Sequence, residues 1–171
     1  MENSVLSYRS DTVLPVWTEN VVSASFTNIF SFGNIIANDG VIKNGRKIRG
    51  KIIGGISKTG GGNTTLEIRL NIGGATVLLP TFSLGAGAIA INTQFVEIEF
   101  VLHLLTSTTA NIYFTLKRRT ATVLVNNIAA LPGGTIAFDR SINNSLSVQG
   151  RIVSAATTVT LGCRVTELEI V

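Results

Sequence analysis

The chain is short of most things that enzymes and secreted scaffolds are built from. Its 171 residues include one cysteine, one histidine, one tryptophan and three prolines. The single cysteine, Cys163, excludes an intrachain disulfide framework and any multi-cysteine metal site. It sits in TVTLGCRV, in phase with Val159, Leu161 and Val165, which predicts a buried small hydrophobe and not a reactive thiol. Long apolar runs are missing too. TFSLGAGAIAIN is too short and too rich in glycine to span a bilayer, which takes ~20 apolar residues. MENSVLSYRSD has neither the basic start nor the apolar stretch of a secretory signal, so the expectation is a protein made in a cytoplasm, with no membrane role.

Charge is the most telling shortage. Charged residues make up 14% of the chain, where a soluble domain has about 25%. Hydrophobic residues make up 45%, and such a monomer would be hard to keep dispersed. Much of the surface is therefore expected to be covered by other subunits.

What is present is alternation. In TTLEIRLN, Leu66, Ile68 and Leu70 share one face. In QFVEIEFVLHLLT, Val96, Ile98, Phe100, Leu102 and Leu104 share another, and NIYFTLK repeats the pattern with Ile112, Phe114 and Leu116. Turn chemistry separates the runs at Asp39-Gly40, Asn44-Gly45, Gly60-Gly61-Gly62, Gly73-Gly74, Pro132-Gly133-Gly134 and Asn143-Asn144. No stretch carries a helical period. The pattern predicts an all-β protein, an antiparallel jelly-roll-like β-sandwich of about 8–10 strands. Residues 1–20 read as an extended arm and 21–171 as the jelly-roll domain. Asp139 and Arg140, just before Asn143-Asn144, are expected to fix a hairpin's register through a charge pair or an Asx bond.

The chemical candidates are thin. Glu97 and Glu99 point the same way about 6.7 Å apart along a strand, a spacing compatible with a carboxylate pair, but charges on a strand face are ordinary. His103 shares that face, ~13 Å from Glu99 and out of reach of a shared metal ion. GAGAIA (Gly85 to Ala90) runs into a strand and lacks the following helix that a dinucleotide turn needs. KTGGGNT places its lysine ahead of the glycines, unlike a P-loop. The reading is therefore no enzyme, no cofactor and no metal. The cations concentrate in KNGRKIRGK and KRR. Lys47, Arg49 and Lys51 form the outer face of one strand, a candidate polyanion contact, though no aromatics interleave with them as in single-strand binders. A nucleic-acid partner is accordingly not expected.

The strand series resembles small jelly-roll structural proteins of tailed bacteriophages, found as capsid decoration, head-fibre or tail-associated modules. The likeness runs through LPVWTENVVSASFTNIFSFGNIIANDGVIKNGRKIRGKIIGG, the hairpin TTLEIRLNIGGATVLL, the long strand QFVEIEFVLHLLT and the closing TIAFDRSINNSLSVQGRIVSAATTVTLGCRVTELEI. Where that family often carries Trp, this chain has Arg151, which implies a different neighbour there. The resemblance implies a virion structural protein that assembles as a homo-oligomer, with a trimer expected, and that contacts other virion proteins such as major capsid or tail proteins. The alternative is a tail-associated module that binds host surface glycan. The outward face from Phe95 to Leu105 is half apolar, which makes Phe95, Val101, His103 and Leu105 the candidate interface. Trp17 is the expected anchor of the arm on its partner, with a cap on the chain's own core as the alternative.

Overall fold

The computed structural model describes residues 7–10, 16–35, 44–120, 124–154 and 158–171. Twelve strands run through them: β1 (Ser7–Ser10), β2 (Val16–Glu19), β3 (Thr27–Ile35), β4 (Lys47–Lys58), β5 (Thr65–Ile72), β6 (Ala75–Leu78), β7 (Phe82–Ser83), β8 (Ile89–Leu104), β9 (Thr109–Thr120), β10 (Leu124–Ala137), β11 (Asn144–Ser154) and β12 (Val159–Ile170). Among the described residues there is no helix.

The large sheet follows the order β1-β12-β4-β8-β9-β10, with β2 also on β12, and the small sheet follows β3-β11-β5-β6, with β7 on β5. The ladders between these strands are antiparallel. Set side by side, β2-β12-β4-β8 and β3-β11-β5-β6 are the two sheets of a jelly roll, whose plan has roughly eight strands. The excess over the expected 8–10 comes from short edge pieces and from the β9–β10 hairpin, inserted between β8 and β11.

Alternation builds the core directly. The inward positions of β5 are all buried, and those of β4 (Ile48, Gly50, Ile52, Gly54, Ile56) face the same interior. Phe32 of the small sheet meets Phe100 of the large one edge-on at 6.1 Å, and Phe30 meets Phe32 at 4.9 Å. Gly50 pairs with Phe100 across the sheet. A methyl built at position 50 would lie 2.0 Å from the Phe100 ring, so that ring occupies the space glycine leaves.

Several sequence expectations change. Pro132-Gly133-Gly134 lies inside the edge strand β10 and not at a turn, with register shifts between Pro132 and Gly134 and two more upstream. An edge strand tolerates both proline and bulges. The segment 139–144 does not close a hairpin either, because β10 and β11 belong to different sheets. The Asx bond is there: the Asp139 carboxylate accepts from Ser141 N at 2.9 Å and from its hydroxyl at 2.6 Å. Those bonds hold the Asp139 pKa below its usual value. Buried Asn144 then donates to the carbonyls of Asp139 (2.7 Å) and Ile142 (3.0 Å), fixing the crossover between sheets. Of the expected arm, β1 and β2 pair with β12 at the sheet edge. Asp39-Gly40 and the side chain of Cys163 lie outside the described residues.

Candidate functional site

The outer face of the large sheet is where most of the sequence-predicted site residues meet. Directly paired residues of neighbouring strands point to the same side, so the register writes out rows across β12, β4, β8 and β9. One row is Glu169–Arg49–Val101–Tyr113, the next Glu167–Lys51–Glu99–Thr115, and a third Ile53–Glu97–Lys117 over the last three strands. Lys47 pairs with His103, and Gly55 with Phe95.

The charges on this face are organised as a network. Lys51 Nζ lies 2.9 Å from Glu99 and 3.0 Å from Glu97. Lys117 reaches Glu99 at 3.3 Å and Glu97 at 3.9 Å, and Arg119 also pairs with Glu97. Glu97 is buried beneath these cations. The hydrogen bond to Glu99 raises the Lys51 pKa, with burial opposing it; the same bond is the leading cause of a lowered pKa at Glu99. Glu99 is thus held as an anion by basic partners, the reverse of what a general acid needs. Lys51, one of the three candidate polyanion contacts, is already occupied. Lys47 and Arg49 are exposed but stand in a stripe with acidic neighbours on both flanking strands.

Of the candidate interface residues, Phe95, Val101 and His103 are half-buried on this face, and Leu105, just past β8, is 40% exposed. Trp17 does not join them. It is 6% exposed in the chain's own core, and its Nε1 donates to Thr27 Oγ1 at 2.7 Å. The anchor role expected of it is corrected accordingly: a ring that fills its own core is not free to seat in a partner. Sequence reasoning missed Tyr113, 46% exposed in the Val101 row. Its signal was the phase of NIYFTLK, in which Tyr113 opposes Ile112 and Phe114. A cleft of about 260 Å³ opens beside it, lined among others by Arg49, Lys51, Glu99, Val101, Glu167 and Glu169.

The small sheet's outer face holds Phe26 against two guanidinium groups, with Arg69 at 4.2 Å and Arg151 at 4.5 Å from the ring centre. Arg151 also pairs with Glu67 at 2.7 Å. Among the described residues no group of three His, Cys, Asp or Glu side chains could hold a metal ion.

No family model matches the chain, and no curated protein matches it. Membership of the phage family that the sequence resembles is thus unsupported by these comparisons. Among solved structures, the chain is similar to one in the "Structure of infectious bursal disease virus Gx strain", with 11% identity and a TM-score of 0.33. The match covers 99% of this chain and 42% of that one, so this chain spans less than half of its length.

Proposed function

We propose that this chain is a structural protein of a virion, assembling as a homo-oligomer on the surface of a tailed-bacteriophage particle as a decoration or head-fibre protein. It acts by binding and not by catalysis. Its partners are its own copies and other virion proteins, such as the major capsid or tail protein. One observation carries the reading: the outer face of the large sheet keeps Val101, Leu105 and Tyr113 outward on a chain with only 14% charged residues. A face of that kind is unusual on a dispersed monomer and ordinary on a subunit. The jelly-roll strand order fits the role without requiring it.

The test is the mass of the purified chain by light scattering over a dilution series. A stable multiple of 18.1 kDa supports the reading, and a monomer at every concentration refutes it. The host-glycan alternative draws no support from exposed aromatics, since Tyr113 is the one aromatic among the exposed large hydrophobic side chains described. Binding on a glycan array, lost on Tyr113→Ala, would favour it.

A further inference from the structure

The charges of the large sheet's outer face lie in stripes, and the stripes are antisymmetric. β12 presents Glu167 and Glu169, and β4 presents Lys47, Arg49 and Lys51. β8 presents Glu99 beside the buried Glu97, and β9 presents Lys117 and Arg119. The sign therefore alternates from strand to strand. The midline of the pattern falls between β4 and β8, which is also the middle of the six-strand path from β1 to β10. A two-fold axis running along the strands at that midline lays the β12 stripe of one copy on the β9 stripe of the other, and β4 on β8. The β4 and β8 stripes then meet in register, Lys51 on Glu99, while Glu167 and Glu169 of β12 meet Thr115 and Tyr113 of β9. A two-fold axis across the strands would lay each stripe on itself, like charge on like, so the pattern selects one symmetry and rejects the other.

Shape points the same way. In the row Glu169–Arg49–Val101–Tyr113 the exposed ring of Tyr113 stands on one side of the midline, and the cleft, walled on the other side by Glu167 and Glu169 of β12, reaches across β4 to Glu99 and Val101 of β8. In the row Gly162–Gly55–Phe95–Arg119 two glycines stand on one side and two long side chains on the other. A methyl built on Gly162 would meet nothing within 4 Å. Bulk on one half thus faces space on the other half after the two-fold rotation.

We propose that two copies of this chain pair face to face through their large sheets, about a two-fold axis parallel to the strands, with Tyr113 of each seated in the Arg49–Glu169 cleft of the other. The proposal rests on the self-assembly reading above and specifies its symmetry, a two-fold pair in place of the trimer expected from the sequence. In the cleft the phenol donates to the Glu169 carboxylate while the Arg49 guanidinium lies over the ring. Lys51 faces Glu99 of the other copy, so the ion pairs already made within each chain extend across the contact and leave no orphaned charge. Twisted sheets pack at about 30° to one another, so the register holds for the central rows and is lost toward the corners. Six strands about 4.8 Å apart and six residues of strand length give a footprint of on the order of 600 Å² per copy before corrugation. That is near the ~800 Å² per partner of a standard interface.

Two variants in a Cys163→Ser background test the pairing. In the pair the two copies of position 113 lie three strand spacings apart sideways, ~14 Å, in addition to the gap between the sheets. Mixing Tyr113→Cys protein with Glu169→Cys protein and a short bis-maleimide that spans the ~10 Å between stacked sheets is expected to give a covalent pair of unlike chains, while Tyr113→Cys alone stays uncrosslinked. Tyr113→Ala, at an exposed position that leaves the fold's melting temperature unchanged, is expected to weaken self-association about tenfold or more. If the wild-type chain assembles but the two cysteine variants give no mixed crosslink, and Tyr113→Ala assembles normally, this pairing is overturned while self-assembly stands. A monomer at every concentration overturns both.

Discussion

Replacing Lys58 by methionine asks what closes one end of the sandwich. Lys58 ends β4 in phase with Ile48, Ile52 and Ile56, and it is 2% exposed. Its ammonium donates to the carbonyl of Gly62 at 2.7 Å and, through a short bond, to that of Gly85. Those carbonyls belong to two glycine-rich loops that also meet through Gly87 N and Gly61 O at 3.2 Å. The lysine therefore ties together two segments with little side-chain packing of their own. Methionine keeps the apolar stem and removes both bonds. Each bond from a charged donor contributes ~1.5–3 kcal/mol. Against that, the variant no longer buries a cation, which in proteins costs several kcal/mol before its partners are counted. The two abandoned carbonyls, at about 1–3 kcal/mol each if left unpaired, decide the sign. The expected net loss is about 2–4 kcal/mol, which for a chain of this size lowers Tm by roughly 5–15 °C.

A pH series gives a second, independent signature. Burial lowers the Lys58 pKa from 10.5, and the nearby Arg118 charge lowers it further. Between that lowered value and 10.5 the folded chain binds fewer protons than the unfolded one, so stability rises with pH across this window. The methionine variant should lose that rise. Urea denaturation at pH 7, a Tm series up to pH 10.5 and hydrogen exchange at residues 59–62 and 84–88 check the account. A variant as stable as the wild type, with both loops still protected, would refute the clamp.

Three further outcomes are expected. Gly50→Ala, whose methyl would lie 2.0 Å from the Phe100 ring, should cost about 1–3 kcal/mol by overpacking; Phe100→Leu should recover part of it in a double-mutant cycle of denaturation curves. Asn144→Ala leaves the Asp139 and Ile142 carbonyls unpaired and should cost ~1–3 kcal/mol by equilibrium unfolding. The Glu99–Lys51 pair should bracket the pH range of greatest stability. Glu99, with its lowered pKa, contributes above 4.5, and this is lost as pH falls through its folded value; Lys51, with its raised pKa, contributes below 10.5, and this is lost as pH climbs through its folded value. Glu99→Gln should flatten both limbs of the Tm profile.

The fold was largely legible because period-two alternation is strong in β4, β5, β8 and β9, each of which buries one face and leaves the other outside. β10 was not legible, since Asn126-Asn127 and Pro132-Gly133-Gly134 carry turn chemistry and only its edge position makes them acceptable in a strand. β1 and β2, four residues each, are too short to show a period. Trp17 was misread because an isolated aromatic gives no sign of which face it occupies; its indole finds Thr27 across a strand connection. The outward phase of Phe95, Val101 and His103 was readable. The alternation of charge from strand to strand was not, because it depends on β12 lying beside β4, a pairing that sequence periodicity does not encode.

That pairing also bears on the order of events during synthesis. β12 inserts between β1 and β4, and Val159 pairs with Lys58, about 100 residues earlier in the chain. At ~5–20 residues per second, β4 waits roughly 5–20 s for its neighbour to emerge. Until then Glu167 and Glu169 are missing, and with them the acidic wall of the cleft beside Arg49. On the pairing proposed above, a nascent chain thus has no complete cleft to offer Tyr113 of another copy. On that pairing, polysome neighbours, the most concentrated copies a chain meets, come together before the cleft exists, and the position of one strand sets the delay.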